Sequence, residues 1–400
     1  MHNYRKITED LYWVGGNDRR LELFENIFPL SKGVSYNAYL LMDEKTVLLD
    51  TADAAISRQF LENVTAALNG RSLDYLIVNH MEPDHCALIE DLLLRYPELK
   101  IIGNAKTFPL INQFYDLETE GKTVTVKEGD SLNFGRHTLH FVMAPMVHWP
   151  EVMMTYDETD KILFSADAFG TFGALNGNLF NDEIDFDRDW LDEARRYYTN
   201  IVGKYGMQVQ NVLKKAAGLD ILMLCPLHGP IWRNNLSYIL DKYNTWSKYE
   251  PEEKGVMIAA ASMYGNTENM AEIFASMLAE AGVKNICFHN ISKTHVSELI
   301  SDTFKYSHIV LAAPTYNNGI YPLMDNYLED MKALAVQNRT FAVLGNGSWA
   351  PQSAKLIESK LGEMKNIRLI TENFAVKSAL KTEHTQLLKE LAEKIAEELK

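Results

Sequence analysis

The sequence predicts two domains of different class: a sheet-rich α+β domain over residues 1–250 and a doubly wound α/β domain over residues 251–400. Three observations predict this. Four hundred residues exceed one ordinary domain and suit two. A charged seam containing Pro251 runs from residue 247 to 255 and separates two kinds of pattern. Before it lie many short strand-like runs with few helices; after it, strand and helix alternate regularly.

In the first half, apolar runs at 39–42, 46–50, 73–79, 100–103, 138–143, 161–165 and 221–225 predict strands, while 87–96 and 190–217 predict helices. Mixed elements over this length imply stacked α+β layers. In the second half, strands are expected at 256–262, 285–289, 308–313, 341–345 and 367–371. Amphipathic helices are expected at 268–281, 323–335 and 385–400. Five strands alternating with such helices make a parallel five-stranded sheet, which binds ligands beyond the carboxyl ends of its strands.

Composition narrows the functions available. A hydrophobic content of 46 % with 23 % charged residues lets each half bury a core. The net charge of -15 opposes nucleic acid, whose phosphates need a Lys/Arg surface, and opposes an anionic membrane. No stretch is long and apolar enough to span a bilayer, and the opening MHNYRKITEDLYWVGG has no signal-peptide apolar segment. Cys86, Cys225 and Cys287 are far apart without a C-x-x-C pair, which argues against a disulfide framework, an iron–sulfur cluster or a rubredoxin-type site. The chain reads as cytoplasmic.

Several histidines share a setting. His80 follows a strand-like YLIVN, with His85 in the loop beyond; His148 follows LHFVMAPMV and His228 follows ILMLCPL. Asp167 follows ILFSA. Each time an apolar strand ends by delivering an imidazole or a carboxylate to a loop, and strand ends of one sheet converge in space. The densest segment, His80-Met81-Glu82-Pro83-Asp84-His85, holds four possible ligands in six residues. Pro83 disfavours a helix through Glu82, so these side chains need not face one way. One metal can take His80 and Glu82 and a second Asp84 and His85; His148 and His228 would each complete one, with Asp167 bridging. Four imidazoles and three carboxylates without thiolate suit iron or manganese, and also zinc. A lone strand-end histidine is more often structural, and His2, His137, His140, His289, His295, His308 and His384, which lack a motif, are read so. Cys86 reads as a small buried residue rather than a redox thiol.

The loop Ser262-Met263-Tyr264-Gly265-Asn266-Thr267 joins the first strand of the second half to its first helix. It has no Lys or Arg, so a phosphate there would rest on backbone N–H groups, on Ser262, Asn266 and Thr267, and on the helix's positive end. It is neither G-x-G-x-x-G nor a P-loop, which disfavours dinucleotides and ATP. Two further loops leave the third and fourth strands: Pro314-Thr315-Tyr316-Asn317-Asn318-Gly319, and Asn346-Gly347-Ser348-Trp349. An isoalloxazine needs flat apolar walls and backbone dipoles for its polar edge, and Tyr316 and Trp349 can supply the walls.

With these motifs the chain resembles the flavodiiron proteins (A-type flavoproteins, rubredoxin:oxygen or nitric oxide oxidoreductases) over nearly its whole length. The resemblance implies a metallo-β-lactamase-like αββα domain followed by a flavodoxin-like one, with two irons and one FMN. It implies His80, Glu82 and His148 on the iron nearer the flavin, Asp84, His85 and His228 on the other, and Asp167 between them. Tyr197 resembles a tyrosine near the substrate pocket, with Tyr198 adjacent. Hydrolytic relatives of the fold carry H-x-H-x-D-H; Glu82 in place of the middle His adds negative charge that helps hold ferric iron. The expected activity is reduction of O2 to water, of NO to N2O, or both. With no rubredoxin or flavin-reductase module before Lys400, the chain resembles the minimal class, served by an external donor such as rubredoxin and assembled as a head-to-tail homodimer or a homotetramer. Two rival readings fit the sequence: a zinc hydrolase joined to a flavodoxin, and an electron carrier with an inactive first domain.

Overall fold

The computed structural model describes residues 2–400, which pack as two compact units. One extends to Tyr198 and takes in Met207–Asn244; the other comprises Thr199–Gly206 and Thr245–Lys400. The expected division at residue 250 thus lies six residues beyond Asn244, and it does not capture Thr199–Gly206, which pack with the second unit.

The first unit is built on two sheets. The larger has strand order Arg5–Lys6, Leu11–Trp13, Tyr39–Met42, Thr46–Leu49, Tyr75–Ile77, Lys100–Asn104, Thr123–Val126. Its first four strands pair antiparallel and the rest parallel. The smaller runs Ser131–Asn133, Thr138–Met143, Met153–Asp157, Ile162–Phe164, Met223–Cys225, antiparallel except for the last pair. Alternate residues from both sheets, among them Leu41, Leu49, Ile77, Ile102, Phe141, Met153 and Phe164, form one buried core. That is the face-to-face packing of two half-apolar layers. The opposite face of the larger sheet is also buried at Leu40, Leu48 and Leu76, which explains why these strands read as continuous apolar runs.

Strand direction places the site. Thr138–Met143 and Ile162–Phe164 both run antiparallel to Met153–Asp157, and Met223–Cys225 runs parallel to Ile162–Phe164. The segments bearing His148, Asp167 and His228 therefore all leave the same end of the sheet. Buried polar groups hold these segments. Asp50 accepts hydrogen bonds from the Asn79 N–H (2.7 Å), the Asn79 amide (2.8 Å) and the His80 N–H (3.2 Å). Burial, opposed by those bonds, pushes its carboxyl up to about 6. Asn37 donates to the carbonyls of Pro226 and Gly229 and accepts from Trp13 Nε1, each at 2.9 Å, clamping the turn that presents His228.

Two expected elements differ. Residues 190–217 do not form one helix; they run as Leu191–Tyr197, a wide turn Tyr198–Val202, a tight turn Gly203–Tyr205, and Gly206–Ala216. Thr199, Ile201, Val202, Gly203 and Gly206 have little helix propensity, and Tyr249 supplies the missing partners by donating to the Gly203 carbonyl and accepting from the Gly206 N–H. Helix 87–96 is likewise replaced by Pro83–Cys86 and Ile89–Arg95. Glu82 is extended as a residue before proline should be, but Pro83 at the first helical position starts a turn. Asp84 and His85 thus sit on a helical turn rather than in a loop.

The second unit carries a parallel sheet in the order Ile286–Asn290, Glu253–Ala260, Tyr306–Tyr316, Arg339–Asn346, Ile367–Leu369. Two short strands extend it: Gly319–Ile320 and Ala375–Val376. Met270, Phe274 and Leu278 of helix Asn266–Glu280 and Leu388, Ala392 and Ile395 of Thr382–Leu399 cover one face. On the other, Thr303 of Val296–Lys305 and Tyr327 of Pro322–Ala333 both reach Met257. This 2-1-3-4-5 order is that of a flavodoxin-like sheet. Among the described residues, no helix is long and apolar enough to cross a membrane.

Substituting Asn37→Ala strips partners from Trp13 Nε1 and from two buried carbonyls. It is expected to destabilise the first unit by about 3 kcal/mol, seen as a lower urea midpoint for that unit's transition.

Candidate metal centre and flavin pocket

The structure brings all seven metal-ligand candidates of the sequence together, in two groups that meet at Asp167. In the first, His80 Nε2 and His148 Nε2 lie 3.3 and 3.0 Å from Glu82 Oε2, and each is 3.2 Å from Asp167 Oδ2. In the second, His85 Nε2 and His228 Nε2 are 3.1 Å apart, at 3.2 and 3.3 Å from Asp84 Oδ2. Asp167 Oδ1 completes it, 3.2 Å from His85 and 3.7 Å from His228.

These separations fit cations. Donors bound at about 2.1 Å and spread around one ion stand about 3.0–3.4 Å apart. Both carboxylate oxygens of Asp84 and both of Asp167 are buried without a hydrogen bond among the described residues. Buried carboxylates are costly unless positive charge faces them. The rings are aimed accordingly: His80 Nδ1 bonds Glu151 Oε1 at 2.8 Å, and His228 Nδ1 donates to the Ser35 carbonyl at 2.7 Å. Each bond puts the proton on Nδ1 and turns the Nε2 lone pair inward. Neither Glu151 nor Ser35 was singled out from sequence. Glu151 stands three residues after His148, a spacing without a signal of its own, and Ser35 acts through its backbone.

Without ions the pocket draws protons. Burial lowers the His85 imidazolium, but Asp84 and then Asp167 outweigh it and hold it up at about 9. Burial likewise lowers His148, and Asp167 and Glu82 raise it to about 9. Burial raises the Asp167 carboxyl, yet His80 and His85 bring it well below the usual range. Glu25, also missed from sequence, lies beside Glu82; burial and that neighbour push it up to about 8.

Tyr197 lies on this side of the fold, its ring 5.5 Å from that of His228, whereas Tyr198 packs at 4.9 Å on Tyr243. Burial and the Asp167 charge raise the Tyr197 phenol well above its ordinary value, so it stays an O–H donor. Phe24 and Tyr36 stand 5.5 and 5.8 Å from His228. Cys86 is buried, its thiol donating to the Met81 carbonyl, and burial pushes it up to about 12.

In the second unit, the three flavin-loop candidates line one cavity of about 580 Å³ at the carboxyl ends of the strands. Gly265 and Gly319 alone among the expected residues do not line it. Gly265 instead shapes the loop: its φ of 90° favours glycine, and its N–H donates to Ser262 Oγ just before the helix begins. Ala350 and Ser378 join the lining. Ser378 escaped sequence reading because it follows the two-residue strand Ala375–Val376, too short to carry a period. No Lys or Arg lines the cavity. Asn346 is buried, donates to Thr267 Oγ1 and the Ser378 carbonyl, and leaves its Oδ1 without a partner among the described residues. Trp349 is 87 % exposed and Tyr316 41 %, two aromatic faces that suit a flat ligand.

The sequence model of the ODP family beta lactamase matches residues 34–229, and that of flavodoxin matches 258–394. The anaerobic nitric oxide reductase flavorubredoxin of Escherichia coli is 30 % identical over 89 % of this chain and 74 % of its own. The rubredoxin oxygen:oxidoreductase of Desulfovibrio gigas superposes with a TM-score of 0.90 at 28 % identity, covering 99 % of this chain and 98 % of that one. A variant of the Thermotoga maritima flavo di-iron protein superposes with a TM-score of 0.90 at 25 % identity, covering 100 % of both chains. The chain belongs to the flavodiiron protein family. This flavodiiron protein is an oxidoreductase, and its flavodoxin domain implies FMN.

In the ion-free pocket His85 and His148 keep their protons up to about pH 9, above the ordinary histidine value of about 6.5. A divalent cation binding at pH 7 must displace them. Affinity is therefore expected to climb as pH rises toward 9 and to fall on acidification. Burial lowers the His80 imidazolium too, but Asp167 outweighs it and holds it well above the ordinary value, so calorimetry in buffers of different ionisation enthalpy should read about three protons released per chain.

Proposed function

We propose that this oxidoreductase reduces O2 to water, NO to N2O, or both, at two non-haem irons recharged through FMN. One observation carries the reading. The two oxygens of Asp167 face separate donor sets, Oδ2 toward His80 and His148, Oδ1 toward His85 and His228. A carboxylate split in this way suits a pair of cations. His80, Glu82 and His148 would hold one iron, and Asp84, His85 and His228 the other. Glu82, between two imidazoles, speaks against the zinc-hydrolase alternative.

When bound, the irons and FMN together supply electrons two at a time and open positions for a diatomic gas. The chain's own groups do the rest. Glu151 and the Ser35 carbonyl keep the His80 and His228 rings oriented. Tyr197 presents a protonated hydroxyl on the His228 side, suited to donating to a reacting oxygen. Phe24 and Tyr36 wall that side against water. Ser262, Asn266 and Thr267, at the opening of helix Asn266–Glu280, would hold the FMN phosphate, and Tyr316 and Trp349 its ring. An external donor such as rubredoxin, in the cytoplasm, would recharge the flavin. A head-to-tail homodimer or a homotetramer would bring one subunit's flavin to another's irons.

Purified protein is expected to carry about two irons and one FMN per chain and, reduced without air, to be reoxidised by O2 or NO. Asp167→Asn or His148→Ala should abolish gas consumption while FMN stays bound; a variant as fast as the parent would assign the reaction to the flavin alone. Trp349→Ala should weaken FMN binding by about tenfold, read by fluorescence titration.

A further inference from the structure

The flavodoxin-like unit holds a second cluster of metal-ligand types, none of them a residue of its candidate flavin loops. Cys287 and His289 are alternate residues of the strand Ile286–Asn290, so they share one face of an edge strand. Asp302 reaches them from helix Val296–Lys305. Cys287 Sγ lies 3.2 Å from His289 Nε2 and 3.4 Å from Asp302 Oδ2, and His289 Nε2 lies 2.7 Å from Asp302 Oδ2. Three donors of three chemical kinds thus converge. From sequence His289 reads as structural, because Asp302 joins it only through the packing of helix on sheet.

We propose that Cys287, His289 and Asp302 form a site for a thiophilic divalent cation, zinc above all. Around a tetrahedral zinc with bonds of about 2.0–2.3 Å, neighbouring donors stand about 3.3–3.6 Å apart. The two sulfur separations are close to this, and the His289–Asp302 hydrogen bond has to open by about 0.6 Å. On binding, Cys287 gives its proton to solvent, and thiolate and carboxylate together balance the charge of the ion. His289 and Asp302 side chains are 16 % and 20 % exposed, so water can reach a fourth position. Sulfur with nitrogen selects zinc over magnesium or calcium, and it separates this cluster from the seven-residue centre, which has no sulfur. The bound ion would tie the edge strand to its helix.

The test uses the full-length protein with its iron and flavin in place, and zinc chloride as the probe. Zinc content should rise by about one ion per chain, with a sulfur scatterer at about 2.3 Å in the zinc-edge X-ray absorption spectrum. Zinc should slow iodoacetamide alkylation of Cys287, followed by peptide mass spectrometry, by about tenfold or more. Cys287→Ser should remove the sulfur signal, and Asp302→Asn, nearly isosteric, should remove the protection at unchanged flavin content. A zinc shell without sulfur in the parent protein, or an alkylation rate indifferent to zinc, overturns the proposal.

Discussion

Buried negative charge is the constraint on which the first unit depends. Asp167 is fully buried, bonds no donor outside the site, and is faced by four imidazoles. Taking such a carboxylate out of water costs several kcal/mol, and only positive charge held close on both sides offsets it. The surroundings serve that requirement. Strands of one sheet end together, Asp50 and Asn37 hold the emerging segments by buried hydrogen bonds, and Glu151 with the Ser35 carbonyl turns two rings inward. The cluster is therefore built for cations before any is bound: protons occupy it in their absence and compete with metal when it arrives.

The second unit solves a different problem with the same geometric device. Its strands also release their loops at one end of a sheet, but these loops are neutral and rich in hydroxyls, amides and backbone N–H groups. A phosphate placed there would meet the start of a helix rather than a lysine, and a flat ring would meet exposed tyrosine and tryptophan. One chain thus separates a charged, closed centre from an open, neutral cleft. Under the proposed function, the closed centre would strengthen the pull of its carboxylates on bound cations, and the open cleft would give an electron donor access to the flavin.

Sequence pattern is most legible where it lies within a few residues. The segment His80–His85 names itself because four possible ligands in six positions are rare, and the alternation after residue 255 announces a parallel sheet. It is least legible where tertiary contacts compete with propensity. Residues 190–217 look like one long amphipathic helix, yet Tyr249, more than thirty residues on, takes over the hydrogen bonds of its middle. Pro83 blocks helix before it and favours helix after it, and the second effect moved Asp84 and His85 onto a turn.

The amino-acid order alone determined the two classes of domain, the seven candidate ligands, the three flavin loops and the family that they resemble. All of these are properties of residue type and spacing, which a linear chain carries. Tertiary structure decided which oxygen of Asp167 faces which pair of rings, that Tyr197 rather than Tyr198 lies beside His228, and that Glu151 meets His80, Ser378 the cavity of the second unit and Asp302 the Cys287–His289 pair. Those facts depend on how strands and helices distant in the chain are oriented toward one another, and no local spacing encodes that.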